Sequence, residues 1–337
     1  MKRVLGKLGG LAPLITCLAM LLFFSLITDT FLTSENLLNI LRQNSALAIM
    51  AVGVTFILLL GEIDLSIENM AIFAGVLTAF LYKMLMDMPG LSPLVQQGLP
   101  ILAAIAASAA FGLVNGLGVS RLGVPSFMMT LAMFLIAKGF ALKVTRGSPI
   151  FDVPPVLGYI GTKSIPLLRG PEGAEATRPL LEVPLITVAA VVCLLLALIV
   201  LRYTRFGRNV YAVGGNRNAA ELSGVNVRRT LAVCFCLCSI TAACSGIILI
   251  GRLGSAQAGG LDNMLIACIS AVVLGGTSLF GGKGGIANTI IGVLTFGILY
   301  NGLNHVQIDI YLKETITGAI LLAALVLNVT MAKVRTG

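Results

Sequence analysis

Three carboxylates, Glu62, Asp64 and Glu68, stand close together between two apolar runs, in the stretch Gly61-Glu62-Ile63-Asp64-Leu65-Ser66-Ile67-Glu68. Carboxylates so spaced could relay protons or cations, or they could cap a helix. A charged side chain deep in a bilayer costs roughly 2.5–3.5 kcal/mol, so all three must face protein, water or a membrane boundary. Asp64 and Ser66 fit two roles. As caps they would accept hydrogen bonds from the free N–H groups that begin the next apolar run, with Glu68 complementing the same dipole. As gate residues they would face a solute pathway, and capping does not exclude that. A second break, Leu274-Gly275-Gly276-Thr277-Ser278-Leu279-Phe280-Gly281-Gly282-Lys283-Gly284-Gly285, carries glycine where the first carries acid. Gly61, Gly275, Gly276, Gly281 and Gly282 supply the φ freedom of a hinge or a tight turn.

Nucleotide and redox chemistry find no support in the remaining residues. Gly282-Lys283-Gly284-Gly285-Ile286-Ala287 has GxGxxA spacing, but it lies between apolar spans and lacks the acidic residue expected about 20 positions on. A Walker loop would need Gly at Thr277 and Ser or Thr at Gly284. Cys234, Cys236, Cys238 and Cys244 all fall in one apolar run, a spacing that suits neither a zinc knuckle nor a disulfide framework, so they read as small apolar filler. The lone His305 has no acid–base triad nearby and is expected at the surface. No catalytic residue, metal site or cofactor is expected.

The elements that must position these residues are membrane helices. Apolar residues make up 57% of the 337-residue chain and charged residues only 11%, with a mean hydropathy of +1.00; soluble domains carry about 25% charge. Ten apolar windows approach the ~20 residues a bilayer needs: Leu11 to Thr28, Leu38 to Leu60, Ile67 to Met86, Leu99 to Val119, Ser126 to Leu142, Leu185 to Leu201, Thr230 to Gly251, Met264 to Phe280, Ile286 to Asn301, and Lys313 to Met331. The expected fold is an all-α polytopic transmembrane bundle forming one domain over residues 1–337. Lys2, Arg3 and Lys7 place the N-terminus in the cytoplasm, and ten spans return the C-terminus there. Arg121, the arginines from Arg202 to Arg229, Lys283, Lys333 and Arg335 then fall inside. Asp29, Glu35, Asp87, Asp152, Glu172, Glu175, Glu182, Asp262 and Asp309 fall outside. The net charge of +9 reflects this topology, because the cations sit at span ends and no basic face with aromatics suggests nucleic acid. The first span resembles a secretory signal in its basic start, but no small-x-small site follows, so a retained helix is expected. The spans near Ile286 are short and open to a broken or re-entrant form.

Two loops stand out. Residues 144–184 form a Pro- and Gly-rich extracytoplasmic segment, either a plain connector or a docking place for a partner. Residues 204–229, Thr204 to Arg229, form an arginine-rich cytoplasmic loop holding a short helix-compatible run from Asn218 to Gly224. Such a helix, pinned between spans, could receive work from a soluble motor. An echo also joins the halves: Leu60–Ser66 precedes Gly75-Val76-Leu77-Thr78, and Leu274–Leu279 precedes Gly292-Val293-Leu294-Thr295, which would make a parallel internal repeat. Uncharged polar residues within the spans, Gln43, Asn44, Thr55, Asn115, Thr130, Asn301 and Asn304, suit either a pathway for a hydroxylated solute or hydrogen-bonded helix contacts. Gly112 and Gly116 make a GxxxG pattern that reads as helix packing.

Gly61-Glu62-Ile63-Asp64-Leu65-Ser66, Pro125-Ser126-Phe127-Met128-Met129-Thr130-Leu131, Gly147-Ser148-Pro149-Ile150, the Gly214-to-Val225 loop and Gly275-Gly276-Thr277-Ser278-Leu279-Phe280-Gly281-Gly282 occur in order. From about Phe31 to Ala324 the chain thus resembles the inner-membrane permeases of ribose-type ABC importers. That resemblance implies a subunit without ATPase chemistry, paired with a second permease copy or a related permease, cytoplasmic ATP-binding subunits and an extracytoplasmic sugar-binding protein. It also implies a coupling helix over Arg217, Asn218, Ala219, Ala220, Glu221 and Gly224. Candidate gate or pathway residues are Asp64, Ser66, Asn44, Asn115, Thr130 and Asn301. The chain departs from the family at Asn218, usually Glu, and at Glu62 and Glu68-Asn69, usually Gly and Gly-Ser. The rival from another class is an ion-coupled secondary transporter, which would need a buried, pathway-facing carboxylate.

Overall fold

The structure, a computed structural model, describes residues 2–168, 181–259, 263–309, 311–320, 322–323 and 326. Glu172, Glu175, Asp262, Lys333, Arg335 and the end of the last expected span lie outside the described residues. The helices in chain order are α1 (Lys2–Ile27), α2 (Ser34–Leu59), α3 (Ile67–Leu85), α4 (Pro93–Ser120), α5 (Ser126–Thr145), α6 (Pro155–Thr162), α7 (Leu185–Tyr203), α8 (Arg205–Gly215), α9 (Arg217–Leu222), α10 (Val227–Leu253), α11 (Met264–Leu274) and α12 (Ile286–His305). Residues 311–320 are also helical. Seven of these helices are long and apolar enough to cross a membrane: α2, α3, α4, α5, α7, α10 and α12. This is the helical membrane bundle that composition predicts, with one addition. Strands β1 (Ser164–Leu168) and β2 (Leu181–Pro184) pair antiparallel within the long 144–184 segment.

Local sequence sets the helix limits. The Thr33 hydroxyl accepts from Asn36 N–H at the start of α2, and Pro93 occupies the first turn of α4, where its missing N–H leaves nothing unpaired. Asn226 caps α10 by accepting from Arg229 N–H, and Gly254 ends it in the left-handed region at φ 69°. One expected span is shorter than its apolar window, in line with the broken form left open near Ile286. Met264 to Phe280 was expected to cross the bilayer, but α11 stops at Leu274 after 11 residues. At 1.5 Å per residue that is about 16 Å, roughly half of the ~30 Å hydrocarbon core.

The long helix α10 is the axis of the bundle, and small residues bring its neighbours close. A Cβ at Gly246 would fall on the Ala71 carbonyl of α3, and one at Gly116 would come within 2.6 Å of Ala232 Cα. At Gly112 it would lie 2.7 Å from the Phe235 carbonyl. The GxxxG pair therefore seats α4 on α10, as helix packing in lipid requires. Cys234 and Cys238 are buried along the same axis, and all seven cysteines are free thiols.

Candidate functional site

At the arginine-rich end of the bundle three segments meet: the α2–α3 break, the α11–α12 break and the α8–α9 loop. Both breaks close in the same way. Gly61 N–H donates to Leu58 O and Glu62 N–H to Ile57 O; Gly276 N–H donates to Val273 O and Thr277 N–H to Val272 O. This paired closure, with a left-handed glycine at φ 72° for Gly61 and φ 95° for Gly276, ends a helix without leaving its last carbonyls unpaired. The internal echo in the sequence thus has a shared local geometry beneath it.

The segments then lock together through backbone. Gly282 N–H donates to Leu59 O at 2.9 Å. Gly214, near the end of α8, passes so close that a Cβ there would fall on Leu59 O and lie 2.8 Å from Gly282 N. A Cβ at Gly281 would come within 2.7 Å of Gly214 O and 2.9 Å of Gly61 N. Tyr211 Oη donates to Gly284 O at 2.9 Å, and burial raises its phenol pKa, which keeps the donor protonated. Gly275 was expected to be a hinge; its backbone is ordinary helix at φ −66°, and it lacks a side chain because a Cβ would fall on Asn288 O of α12.

The 204–229 loop contains two helices where the sequence suggested one. Helix α8, capped by Thr204, buries Val210 and Val213 against the bundle. Helix α9 is capped by Asn216, whose side chain accepts from Ala219 N–H at 3.0 Å. It ends with Gly224 at φ 82°, Gly224 N–H donating to Glu221 O and Val225 N–H to Ala220 O. Gly224 therefore terminates the helix. Asn218, Ala219 and Glu221 are exposed, whereas Ala220 is buried in this chain's own core. Arg217 forms an ion pair with Glu62, which ties the start of α9 to the first break. Sequence reading named both residues without joining them; it missed the Asn216 cap, although Asn ahead of a helical run signals one.

Above this junction lies a buried polar cluster. Asp64 Oδ1 accepts from Ser66 N–H at 2.9 Å and from Ser66 Oγ at 2.5 Å, while Asn115 Nδ2 donates to Ser66 Oγ at 3.2 Å. Asp64 is 4% exposed, and its Oδ2 has no hydrogen-bond partner among the described residues. The carboxylate does cap, but one step outside α3: it closes the turn around Ser66, the N-cap residue, which makes no side-chain cap bond itself. Thr130 Oγ1 accepts from Leu65 N–H at 3.1 Å and Ser126 Oγ from Ile63 N–H at 3.4 Å. Irregular backbone inside a membrane protein needs such partners. Glu68 Oε2 accepts from Leu265 N–H at 2.8 Å, so it complements the N-terminus of the half-length α11.

The other candidate pathway residues divide. Asn44 lines a cavity of about 240 Å³ with Gln43, Arg252, Met264 and Tyr300, toward the opposite end of the bundle. Asn301 makes a reciprocal amide pair with Asn36 at 3.0 and 2.9 Å, and His305 Nε2 lies 2.9 Å from Asn36 Oδ1. This joins α2 to α12 and corrects the expectation of a free surface histidine: His305 is half-buried and bonded. Thr55 and Thr289 share a hydroxyl bond of 2.6 Å between the same two helices.

Comparison with known proteins matches this architecture to one family. The chain is 35% identical over 319 residues to the ribose import permease protein RbsC of Escherichia coli, covering 94% of this chain and 92% of that one. It is 33% identical to RbsC of Bacillus subtilis over 325 residues, 96% of this chain and 94% of the relative. To the xylose transport system permease protein XylH of Haemophilus influenzae it is 30% identical over 367 residues, covering 95% and 96%. No solved structure matches the chain significantly. The family model described as branched-chain amino acid transport system / permease component matches residues 36–325, and with both helix breaks and the loop between them inside that match, the chain belongs to this permease family.

Proposed function

We propose that the chain is the permease subunit of an ATP-driven importer that brings a monosaccharide, or a similar small polyhydroxylated solute, across the inner membrane. The observation that carries this reading is the α8–α9 loop, anchored to both helix breaks at once through Gly214, Gly282 and the Arg217–Glu62 pair. The names of the ribose and xylose permeases supply the solute class. Separate cytoplasmic ATP-binding subunits press on the exposed face of α9, with Arg217, Asn218, Ala219 and Glu221 toward them and Ala220 and Gly224 holding the helix in place. The push reaches Glu62 and the glycine junction, and from there the ends of α2 and α11. A second permease copy completes the pathway. An extracytoplasmic sugar-binding protein docks over the segment that carries β1 and β2. Asn44, Gln43 and Tyr300 offer neutral hydrogen-bonding groups to a hydroxylated solute in the outer cavity.

The buried Asp64 carboxylate, 4% exposed and without a cation beside it among the described residues, is the one observation favouring the second reading, an ion-coupled transporter. Uptake into vesicles holding the permease, its ATPase and its binding protein separates the two. The expected result is uptake that requires internal ATP and persists when ionophores collapse ion gradients. Uptake driven by a gradient without ATP would overturn the proposal. Ala219→Arg is expected to leave the permease folded but to abolish ATP-dependent uptake, because a long cation blocks the exposed seat of α9. Normal uptake at normal expression would remove α9 from the coupling role.

A further inference from the structure

A groove of about 880 Å³ runs between the C-terminal half of α4 and the N-terminal part of α10. Leu113 and Leu117 form one wall, Val233 and Leu237 the other, and Arg121, Arg228 and Arg229 stand at its mouth. From Arg121 to Leu113 is eight helical steps, about 12 Å, close to the depth of one leaflet of a ~30 Å hydrocarbon core. The mouth lies at the arginine-rich end, beside the helix termini at Ser120 and Val227. None of the three guanidinium groups joins an ion pair among the described residues. Ser120 Oγ, at the same level, also has no hydrogen-bond partner there.

An apolar slot one leaflet deep, with uncompensated positive charge at headgroup level, has the charge and shape complement of a two-tailed anionic lipid. We propose that this groove is a specific binding site for an anionic phospholipid of the cytoplasmic leaflet, one acyl chain lying along the furrow beside the α4–α10 seam and the phosphate held by Arg121, Arg228 and Arg229. Because α10 begins two residues after Val225, at the end of the α8–α9 loop, the bound lipid steadies the helix against which that loop works.

The test uses the full complex with its ATPase, purified in mild detergent, with co-purified phosphatidylglycerol quantified by mass spectrometry. Replacing Arg121, Arg228 and Arg229 together by Gln is expected to lower retained phosphatidylglycerol at least about tenfold, from the loss of three arginine–headgroup attractions. Arg202→Gln, which removes a cation outside the groove, is expected to leave retention unchanged. Val233→Trp fills the slot with the arginines intact and is expected to lower retention as well; Val233 is already part-exposed at 36%, so the larger ring does not disturb the core. Equal retention in all variants overturns the proposal. So does unchanged lipid with lost pairing between permease copies, which would make the groove a seat for the second copy.

Discussion

At the arginine-rich end, Leu59, Gly61, Gly214, Gly281 and Gly282 meet backbone to backbone; at the opposite end, Thr30, Asn36, Asn301 and His305 meet through side chains. The first arrangement leaves no room for even a methyl group between the α8–α9 loop and the helix ends. A displacement of one segment therefore moves the others. The second depends on side chains, a buried amide pair backed by Phe24, Phe31, Ile298 and Leu303, so its contacts can be altered one residue at a time. One end of the permease is thus locked through backbone and the other held through side chains, and the two ends answer differently to substitution.

The largest effect is expected from Gly214→Ala. A methyl group there falls on a carbonyl that cannot move aside, and overpacking typically costs 1–3 kcal/mol or more. Melting of the purified permease is expected to fall by several degrees, with uptake lost, and an unchanged melt would refute the rigid junction. Next in size, Asn36→Leu strands the Asn301 amide and removes a partner of His305, at roughly 1–3 kcal/mol for buried polar groups left unpaired. A double-mutant cycle with Asn301→Leu is expected to recover much of that loss, since both partners are then apolar. Strict additivity would mean that the amides do not act as a pair.

Smaller effects sharpen the inner side. Glu62→Gln is expected to cost about 1 kcal/mol, because the Arg217 side chain is 45% exposed and water screens the pair. ATP hydrolysis should nonetheless run faster than uptake in this variant, and the double exchange Glu62→Arg with Arg217→Glu should restore coupling. Failure of the exchange alongside normal coupling in Glu62→Gln would reduce the ion pair to a surface contact. The smallest loss belongs to Asp64→Asn, since the amide oxygen still accepts from Ser66 and only a charge–dipole contribution of about 0.3–1 kcal/mol goes. Measured uptake should fall less than twofold if Asp64 only holds the turn. A large loss with normal complex yield would make it a gate.

Much of this architecture is legible in the sequence because lipid imposes a strong constraint: apolar length marks the spans, and the arginine-rich 204–229 stretch marks a loop between them. The glycines of both breaks also announce themselves. The end of α11 at Leu274 coincides with the glycine-rich second break, although hydropathy alone continues through Leu279 and Phe280 and extends the span too far. Ala220 is expected in the coupling helix, but that it turns to this chain's own core does not show in the sequence, because a helix of 6 residues is too brief to show periodicity. Pairings such as Asn36 with Asn301 and Glu62 with Arg217 join residues far apart in the chain, so no local pattern carries them. Strands β1 and β2 flank a segment rich in Gly and Pro, whose composition reads as loop.

The two ends also differ in what a genetic screen can repair. At Gly214 the obstruction is the carbonyl oxygen of Leu59, an atom that every amino acid carries. Suppressors of Gly214→Ala are therefore expected to be true revertants or changes that shift a whole segment, never a trimmed neighbour. At Gly302 the obstruction is the Phe24 ring. There a substitution such as Phe24→Ala can make room for Gly302→Ala, so this end of the molecule can drift in sequence through compensated pairs while the inner glycines stay fixed one by one.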